Sequence, residues 1–340
     1  NVLQAGLGQN PARQVGLGAG LSHASTAVTI NEVCGSGLKA IISAAQVLRL
    51  GDAKIVLAGG MENMSLAPHL LQQRFAPKNG PVTLVDSLFN DGLTDVYSQD
   101  AMGITAENIV EKYGFTREEQ DAFAVASQQK AAKAQAEGRF ASEIDPVAVF
   151  NRKTKSDDLK VTDEFIRPNT NLESLAGLKP SFKKDGTVTA GNASGINDGA
   201  ACVIMTTREY ATELGLPILA TLKGYAEAGV DPSIMGIGPV PAIQKLVART
   251  RIPLEKVDVF ELNEAFAAQS MAVIKDLKIP TEKVNPFGGA IALGHPIGAS
   301  GTRIVVTLIN ALDQLDGKIG VASLCVGGGM GVAIAIEREQ

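Results

Sequence analysis

The chain has 340 residues, 45% of them apolar and 20% charged, and its formal net charge is −5. The acidic balance, the 4% aromatic content and the absence of Trp argue against the basic, stacking surfaces typical of nucleic-acid-binding proteins. The longest uncharged apolar stretch, residues 321–336, is shorter than a membrane span of about 20 residues and carries four glycines, so we expect a globular protein of two or three domains without a nucleic-acid or membrane partner.

The first predicted unit is a helix followed by a buried strand. Apolar residues at helical spacing predict a helix over residues 38–48, which Gly51 ends. The next apolar run, residues 55–58, predicts a strand buried on both faces and closed by Gly59 and Gly60.

A more polar region follows between residues 64 and 195, which predicts an inserted, loop-rich subdomain. Its clearest element is a helix that begins at Thr116. Thr116 and Glu119 have the spacing of a capping box, and Gly138 supplies the stop.

After the insertion, residues 201–205 predict a core strand with Cys202 buried in it, and residues 257–262 predict a strand that leads into Asn263. Near the C-terminus the order of the first unit returns: a helix over residues 302–315, an acidic-Gly turn, a strand over residues 319–325 and a run of glycines. This order indicates an internal duplication, although α/β proteins also repeat such an order without one.

We therefore expect an α/β protein built from two similar halves. The N-terminal half comprises residues 1–63 and is completed by residues 196–216. The insertion comprises residues 64–195, and the C-terminal half residues 217–340.

The first candidate for chemistry is Cys34, at the predicted start of the first helix. The free amides and the positive dipole end of a helix start favour a thiolate, which is the nucleophilic form of Cys. A buried small hydrophobic residue is the alternative role for Cys34. The three cysteines, Cys34, Cys202 and Cys325, are too few and too widely spaced for a disulfide framework, so we expect a reducing, cytoplasmic location.

His295, between Gly294 and Pro296, is the second candidate because a histidine locked on a glycine-rich turn is positioned for acid–base chemistry. The other two histidines, His23 and His69, lie among ordinary loop and helix residues. A metal site is a poor explanation, because no close paired spacing of zinc ligands is present.

Cys325 and Asn263 complete the set. Cys325 ends a predicted strand and precedes Gly327, whose amide could contribute to an anion-binding nest. Asn263 lies at a strand-to-helix junction, where it could equally serve as a helix N-cap.

Four phrases in this order resemble the thiolases, and among them most the acetyl-CoA acetyltransferases: Val-Cys-Gly-Ser-Gly at Cys34, Asn-Glu-Ala-Phe at Asn263, Gly-His-Pro-Ile-Gly-Ala-Ser-Gly at His295 and Cys-x-Gly-Gly-Gly at Cys325. The resemblance covers the whole chain. It implies a five-layer αβαβα fold and a dimer or tetramer. Residues 66–89 correspond to the segment that joins dimers, which implies a homotetramer built as a dimer of dimers.

The resemblance also implies a ping-pong mechanism on coenzyme A thioesters, with no metal or redox cofactor. Cys34, activated by His295, takes the acyl group, and Cys325 deprotonates a second acetyl-CoA. His295 and a water on Asn263 hold the enolate oxygen, while the amides of Cys34 and Gly327 hold the acyl oxyanion. The positions that match substrate and coenzyme A contacts are Met102, Arg167, Ser174, Leu178, Ala190, Gly191, Ser194, Met235 and Phe266.

Two departures from the family pattern stand out. The chain begins at Asn1, about one strand–helix unit later than family members do. Many bacterial biosynthetic members carry a His just before the Met-Gly of the substrate loop, where this chain has Ala101 before Met102.

Several alternatives remain open. A degradative 3-ketoacyl-CoA thiolase of broader chain length shares every catalytic residue. Cys325 disfavours a ketosynthase relative. A dinucleotide site at residues 16–20 is disfavoured because the glycines there do not have the spacing Gly-x-Gly-x-x-Gly. A non-catalytic, acyl-CoA-binding fragment is the alternative from another functional class.

Overall fold

The computed structural model describes residues 1–75 and 78–339. Helices and strands are mixed along the chain. The α-helices are α1 (Pro11–Gly18), α2 (Ser36–Leu50), α3 (Met102–Tyr113), α4 (Arg117–Ala136), α5 (Leu172–Ala176), α6 (Arg208–Glu213), α7 (Pro239–Thr250), α8 (Ala267–Leu277), α9 (Ala290–Leu293) and α10 (Ser300–Gln314). The strands are β1 (Ile55–Asn63), β2 (His69–Leu70), β3 (Val85–Asp86), β4 (Val147–Asn151), β5 (Ser156–Lys160), β6 (Asp198–Thr206), β7 (Ala220–Gly229), β8 (Val259–Leu262), β9 (Ile319–Val326) and β10 (Met330–Arg338).

Two sheets carry the architecture. In the N-terminal sheet β1 pairs antiparallel with β6, from Ile55 opposite Thr206 to Asn63 opposite Asp198. The C-terminal sheet has the order β7-β10-β9-β8, in which β8 runs parallel to β9 and the other pairs are antiparallel.

The helices α2 and α10 form the layer between the two sheets and contact both of them. They cross at two glycines, because a Cβ at Gly37 would lie 2.5 Å from Thr302 N and one at Gly301 would lie 2.3 Å from Leu38 N. Leu38, Ile304 and Leu308 are fully buried in the core around this crossing. The helices predicted over residues 38–48 and 302–315 are confirmed.

The predicted duplication has a structural counterpart. Each central helix has 15 residues and begins with Ser-Gly. In each half a short connection then leads into a strand, β1 or β9, that packs against its own helix.

The outer face of the N-terminal sheet differs from the prediction. The strands predicted over residues 55–58 and 201–205 are present, but Ile55, Leu57 and Ile204 are exposed, and so is Cys202, which was expected in the core. Burial alternates along β1 and β6 because, among the described residues, only α2 and α10 cover this sheet, on one of its two faces. The layers within the described ranges are therefore sheet, helix pair, sheet and the outer helices α7 and α8, which are four of the five expected layers.

The glycines that were predicted to close the two duplicated strands have different roles. The strand β1 does not end at Gly59 and Gly60, as predicted, but continues to Asn63. Gly60 is required by a close approach, since a Cβ there would lie 2.2 Å from Gly298 O. Gly328 and Gly329, by contrast, have φ of 87° and 84° and form the turn from β9 to β10.

Residues 64–195 contain more helix than the expected loop-rich segment, since α3 and α4 together form its centre. The capping box of Thr116 and Glu119 at the start of α4 is confirmed. The helix α4 packs on α8 and α9, which ties this region to the C-terminal half.

One segment, Val33–Leu50, is long and apolar enough to cross a membrane by length and composition, and just over half of it is buried inside the protein. Its helix α2 is the central core helix described above, which accounts for its apolar character.

Candidate active site

Cys34 lies on a strained turn just before α2. The preceding Val33 has φ of 47°, a left-handed conformation that β-branched residues rarely adopt and that costs of the order of 1–3 kcal/mol. Two side chains hold this turn: Ser36 Oγ donates to Val33 O at 2.7 Å, and Asn31 Oδ1 accepts from Val33 N at 3.0 Å. The turn therefore fixes the position of the Cys34 side chain before any substrate binds.

The thiol of Cys34 is buried, and two backbone N–H groups lie near its sulfur. Burial raises the pKa of Cys34 to about 11, although the backbone N–H groups of Gly327 and of Cys34 itself partly offset this rise. The sequence predicted a thiolate favoured by the helix start. That expectation is wrong for the resting site, because desolvation outweighs the donors and keeps Cys34 a thiol.

His295 lies on the loop between α9 and α10. Gly294 has φ of 93°, and a Cβ there would lie 2.4 Å from the carboxamide carbon of Asn197. Asn197 Oδ1 also accepts from the His295 backbone N–H at 3.3 Å. The side chain of Asn197 therefore holds the loop that carries the histidine.

The imidazole of His295 is buried and neutral. Burial, with the positive charge of Arg303, lowers the pKa of His295 to about 4. Its Nδ1 lies 2.6 Å from Ser300 Oγ and its Nε2 lies 3.4 Å from Asn263 Nδ2. A neutral, held imidazole has a lone pair that can accept a proton, and the lowered pKa makes it a weaker base than a free histidine.

Asn263 follows β8 directly, as predicted, and its backbone N–H donates to Ser323 O on β9 at 3.0 Å. It is not the N-cap of the next helix, because α8 begins at Ala267 with Phe266 at the cap position. The alternative role as a cap is therefore excluded, and its buried side chain points toward His295.

Glu264 anchors the segment beside Asn263. Its buried carboxylate accepts from Ser127 Oγ at 2.6 Å, from Asn285 Nδ2 at 2.8 Å and from Ile291 N at 3.2 Å. These three partners belong to α4, to the chain after α8 and to α9, so Glu264 joins three parts of the protein behind the site.

Cys325 ends β9 and is completely buried. Burial raises its pKa, and a charge on Cys34 raises it further. The segments next to the two cysteines touch, since a Cβ on Gly35 would lie 3.0 Å from Val326 Cγ2 and one on Gly327 would lie 3.3 Å from Val33 Cγ1. The N–H of Gly327, two residues on, lies near the Cys34 sulfur and lowers its pKa. The predicted site residues from the two halves thus meet around the two cysteines.

Large side chains lie beside Cys325. Met235 and Phe266 are buried in the same apolar cluster, and Met102 packs against it. Phe182, which the sequence analysis did not single out, stands edge-on to Phe266 at 6.2 Å between ring centroids. Its ring occupies the space beside Gly103, because a Cβ on Gly103 would lie 2.1 Å from it.

The positions expected to bind coenzyme A lie on the surface of the insertion and its edge. Leu178 and Gly191 touch, since a Cβ on Gly191 would lie 2.6 Å from Leu178 Cδ1. Ser174 is exposed and caps α5 with Asn171. Ala190 is exposed as well.

Two further positions frame this surface. Ser194 donates from both N and Oγ to Ala265 O at 3.0 Å, next to the Asn263 segment. Arg167 is exposed, lies over the Phe165 ring and donates its backbone N–H to Gln128. His23 and His69 are both exposed, as expected for residues outside the site.

Sequence reasoning missed three residues that shape this site: Phe182, Asn197 and Ser300. Ser300 lies in the glycine-rich phrase of His295, five positions after it, which is the one signal that the sequence offered. Phe182 and Asn197 contact the site only through tertiary packing.

Comparison with known proteins gives matches over nearly the whole chain. The thiolase N-terminal domain matches residues 1–209, and the thiolase C-terminal domain matches residues 216–338. An acetyl-CoA acetyltransferase of Cupriavidus necator is 56% identical over 339 residues, which are 99% of this chain and 86% of that protein. A probable acetyl-CoA acyltransferase of Staphylococcus aureus is 56% identical over 342 residues, with 100% and 86% covered.

Solved structures agree with the sequence comparisons. The acetyl-CoA acetyltransferase of Bacillus anthracis superposes with a TM-score of 0.96 at 46% identity, covering 99% of this chain and 85% of that one. Human mitochondrial 3-ketoacyl-CoA thiolase superposes with a TM-score of 0.93 at 44% identity, covering 96% and 83%.

Proposed function

The chain belongs to the thiolase family and has its fold, and from this premise we propose that it is an acetyl-CoA C-acetyltransferase. It condenses two molecules of acetyl-CoA to acetoacetyl-CoA and coenzyme A, and it catalyses the reverse thiolysis. The observation that carries the proposal is the pair of backbone N–H groups, of Gly327 and Cys34, that lie beside the buried Cys34 sulfur where the Cys34 turn meets the turn after Cys325. The same two donors would bind the oxyanion that forms when Cys34 attacks a thioester.

In the first half-reaction Cys34 Sγ bonds to the acetyl carbon of acetyl-CoA, and its proton moves to Nε2 of the neutral His295. The bond from the acetyl carbon to the coenzyme A sulfur then breaks. Because its raised pKa keeps Cys325 a thiol at rest, Cys325 gives its proton to the departing sulfur and becomes a thiolate.

In the second half-reaction the Cys325 thiolate takes a proton from the methyl group of a second acetyl-CoA. The enolate oxygen faces His295 and a water on Asn263, and the carbanion attacks the acetyl group on Cys34. The Cys34 sulfur leaves and recovers its proton from His295, so every proton returns to its starting atom.

The large side chains beside Cys325 favour a short acyl group. Met235 and Phe266 close the apolar cluster, and Phe182 stands against Phe266. A degradative 3-ketoacyl-CoA thiolase of broader chain length is the second candidate, which the structural similarity to the human mitochondrial enzyme favours.

We also propose that residues 64–195 cover the coenzyme A thioester, between halves formed by residues 1–63 with 196–216 and by residues 217–340. The expected contacts are made by Arg167, Ser174, Leu178, Ala190, Gly191 and Ser194, with Met102 at the acyl end. No metal or redox cofactor takes part in this scheme, since cysteine and histidine side chains carry every proton transfer.

A homotetramer and a cytoplasmic location stay predictions. Residues 66–89 were assigned to the contact between dimers, and residues 76 and 77 of that segment lie outside the described residues. In the described part, Leu66, Phe75 and Leu84 are exposed apolar side chains, which suits a surface that a second copy covers.

The test compares thiolysis of acetoacetyl-CoA with thiolysis of 3-ketooctanoyl-CoA. We expect a strong preference for the four-carbon substrate, its loss in Cys34→Ala and Cys325→Ala, and full activity in the surface control Cys202→Ser. Phe182→Ala should raise the relative rate on the eight-carbon substrate. Equal wild-type rates on both substrates would move the assignment to the degradative enzyme, and no activity on either would favour an acyl-CoA-binding role.

A further inference from the structure

Each central helix begins with a serine whose hydroxyl is turned back on the loop before it. Ser300 is completely buried at the start of α10, and its Oγ donates to Pro296 O at 2.9 Å. The same Oγ lies 2.6 Å from Nδ1 of His295. A hydroxyl has one hydrogen, so the hydrogen given to Pro296 O leaves a lone pair of Ser300 facing the imidazole.

The equivalent serine of α2 shows the same pattern of donation. Ser36 Oγ donates to Val33 O at 2.7 Å and accepts the backbone N–H of Glu32 at 2.9 Å. At the start of α2 the lone pair of Ser36 Oγ therefore faces a backbone N–H, which can only donate. The parallel supports the same orientation of the Ser300 hydroxyl, with an N–H of His295 as the donor.

The other ring nitrogen is consistent with this assignment. His295 Nε2 lies 3.4 Å from Asn263 Nδ2, which is an amide donor and cannot accept. A lone pair on Nε2 suits that partner, whereas an N–H there would face another N–H.

We propose that Ser300 is a positioning residue that holds His295 as the tautomer with its hydrogen on Nδ1, so that Nε2 is free to take a proton from Cys34. The inference rests on the proposed function for the use of that proton, but the tautomer itself does not depend on it. In the opposite tautomer the lone pair would lie on Nδ1 and face the buried Ser300 hydroxyl, on the side of the ring away from Asn263.

The Ser300 bond also remains useful after the proton has moved. The imidazolium that forms carries hydrogen on both nitrogens, and Nδ1–H still donates to Ser300 Oγ. One hydrogen bond therefore selects the reactive tautomer and keeps the ring in place through both half-reactions.

The direct test uses the small number of histidines in the chain. With three histidines in all, ¹⁵N-histidine labelling gives three pairs of ring signals, and the exposed His23 and His69 serve as internal references. At pH 7 to 8 we expect one ring with Nδ1 protonated and Nε2 unprotonated, belonging to His295 and missing from His295→Asn. An Nε2-protonated ring for His295 would overturn the proposal, without bearing on the thiolase activity.

Variants of the two serines complete the test. Ser300→Ala should give a mixed or reversed tautomer and lower kcat for acetoacetyl-CoA thiolysis by about 10- to 100-fold, part of the roughly 10²- to 10⁴-fold that a positioned base contributes, with little change in KM. Ser300→Thr keeps a hydroxyl and should restore the Nδ1–H tautomer. Ser36→Ala should leave the His295 tautomer unchanged.

An unchanged tautomer and kcat in Ser300→Ala would also overturn the proposal. If that variant does not fold, the proposal is judged on the His295 tautomer in the spectra of the wild type and of Ser300→Thr. An inactive wild type with the expected tautomer would count against the proposed function and not against the positioning role.

Discussion

The crossing of α2 and α10 at Gly37 is the packing contact that sets the distance between the Cys34 turn and the His295 loop. A Cβ at Gly37 would lie 2.5 Å from Thr302 N and 2.8 Å from Thr302 Oγ1. Since ordinary contacts of a carbon are about 3.5–4.0 Å, the Gly37→Ala variant must separate the two helices by about 1 Å.

A displacement of this size moves one catalytic group relative to the other. We expect Gly37→Ala to lower kcat/KM for acetoacetyl-CoA thiolysis by about 100-fold, the effect of a misplacement of about 1 Å. Overpacking at a backbone contact should also lower the free energy of unfolding by about 1–3 kcal/mol, measured by urea denaturation.

Gly18→Ala is the matched control, because Gly18 ends the helix α1 and a Cβ there would meet no atom within 4 Å. Both variants replace a glycine in a terminal turn of a helix by alanine, and only Gly37→Ala adds a contact with Thr302. If Gly37→Ala were as active and as stable as Gly18→Ala, the close approach of the two helices would not be what positions the site.

Three further results are expected. Burial lowers the pKa of His295 from 6.5 to about 4, so between these pH values the unfolded chain binds a proton at this residue and the folded chain does not. As the pH falls from 6.5 to 4, the free energy of unfolding of the wild type should therefore fall by about 3 kcal/mol relative to that of His295→Asn. Cys202→Ser should change the free energy of unfolding by less than about 0.5 kcal/mol, since Cys202 is exposed, whereas a larger loss would show that it is covered in solution. Glu264→Gln places an amide against the donors of Asn285 and Ile291 and should cost about 2–4 kcal/mol with a lower kcat; equal melting of variant and wild type would remove the anchoring role.

Local sequence signals predicted the elements that carry the site. The helical spacing over residues 38–48 and 302–315 and the capping box at Thr116 depend on neighbours within a few positions, so a single sequence contains them. The order helix, turn, strand in both halves was visible for the same reason.

The covering of the sheet faces could not be predicted in this way. An apolar run such as residues 201–205 shows that a strand forms, but burial of Cys202 depends on which layers lie on each side of β6. The same limit applies to the long strand β1, which continues past Gly59 because β6 pairs with it to Asn63.

The protonation of Cys34 was mispredicted for a related reason. The sequence places Cys34 at a helix start, which favours a thiolate, but it does not show how completely the other half of the protein buries the sulfur. Gly327, in the turn after β9, lies against Val33 beside Cys34, nearly 300 positions earlier in the chain. Contacts of this kind also explain why Phe182 and Asn197 were missed.

The central claim is that Cys34 carries the acetyl group. The most direct measurement is a peptide mass map of the protein quenched in acid after incubation with acetyl-CoA, with Cys202→Ser as the matched cysteine control. We expect one acetyl group on the Cys34 peptide, retained in Cys202→Ser and absent in Cys34→Ala. An acetyl group on Cys325, or a wild-type protein that turns over acetoacetyl-CoA with no acetyl adduct on Cys34, would contradict it.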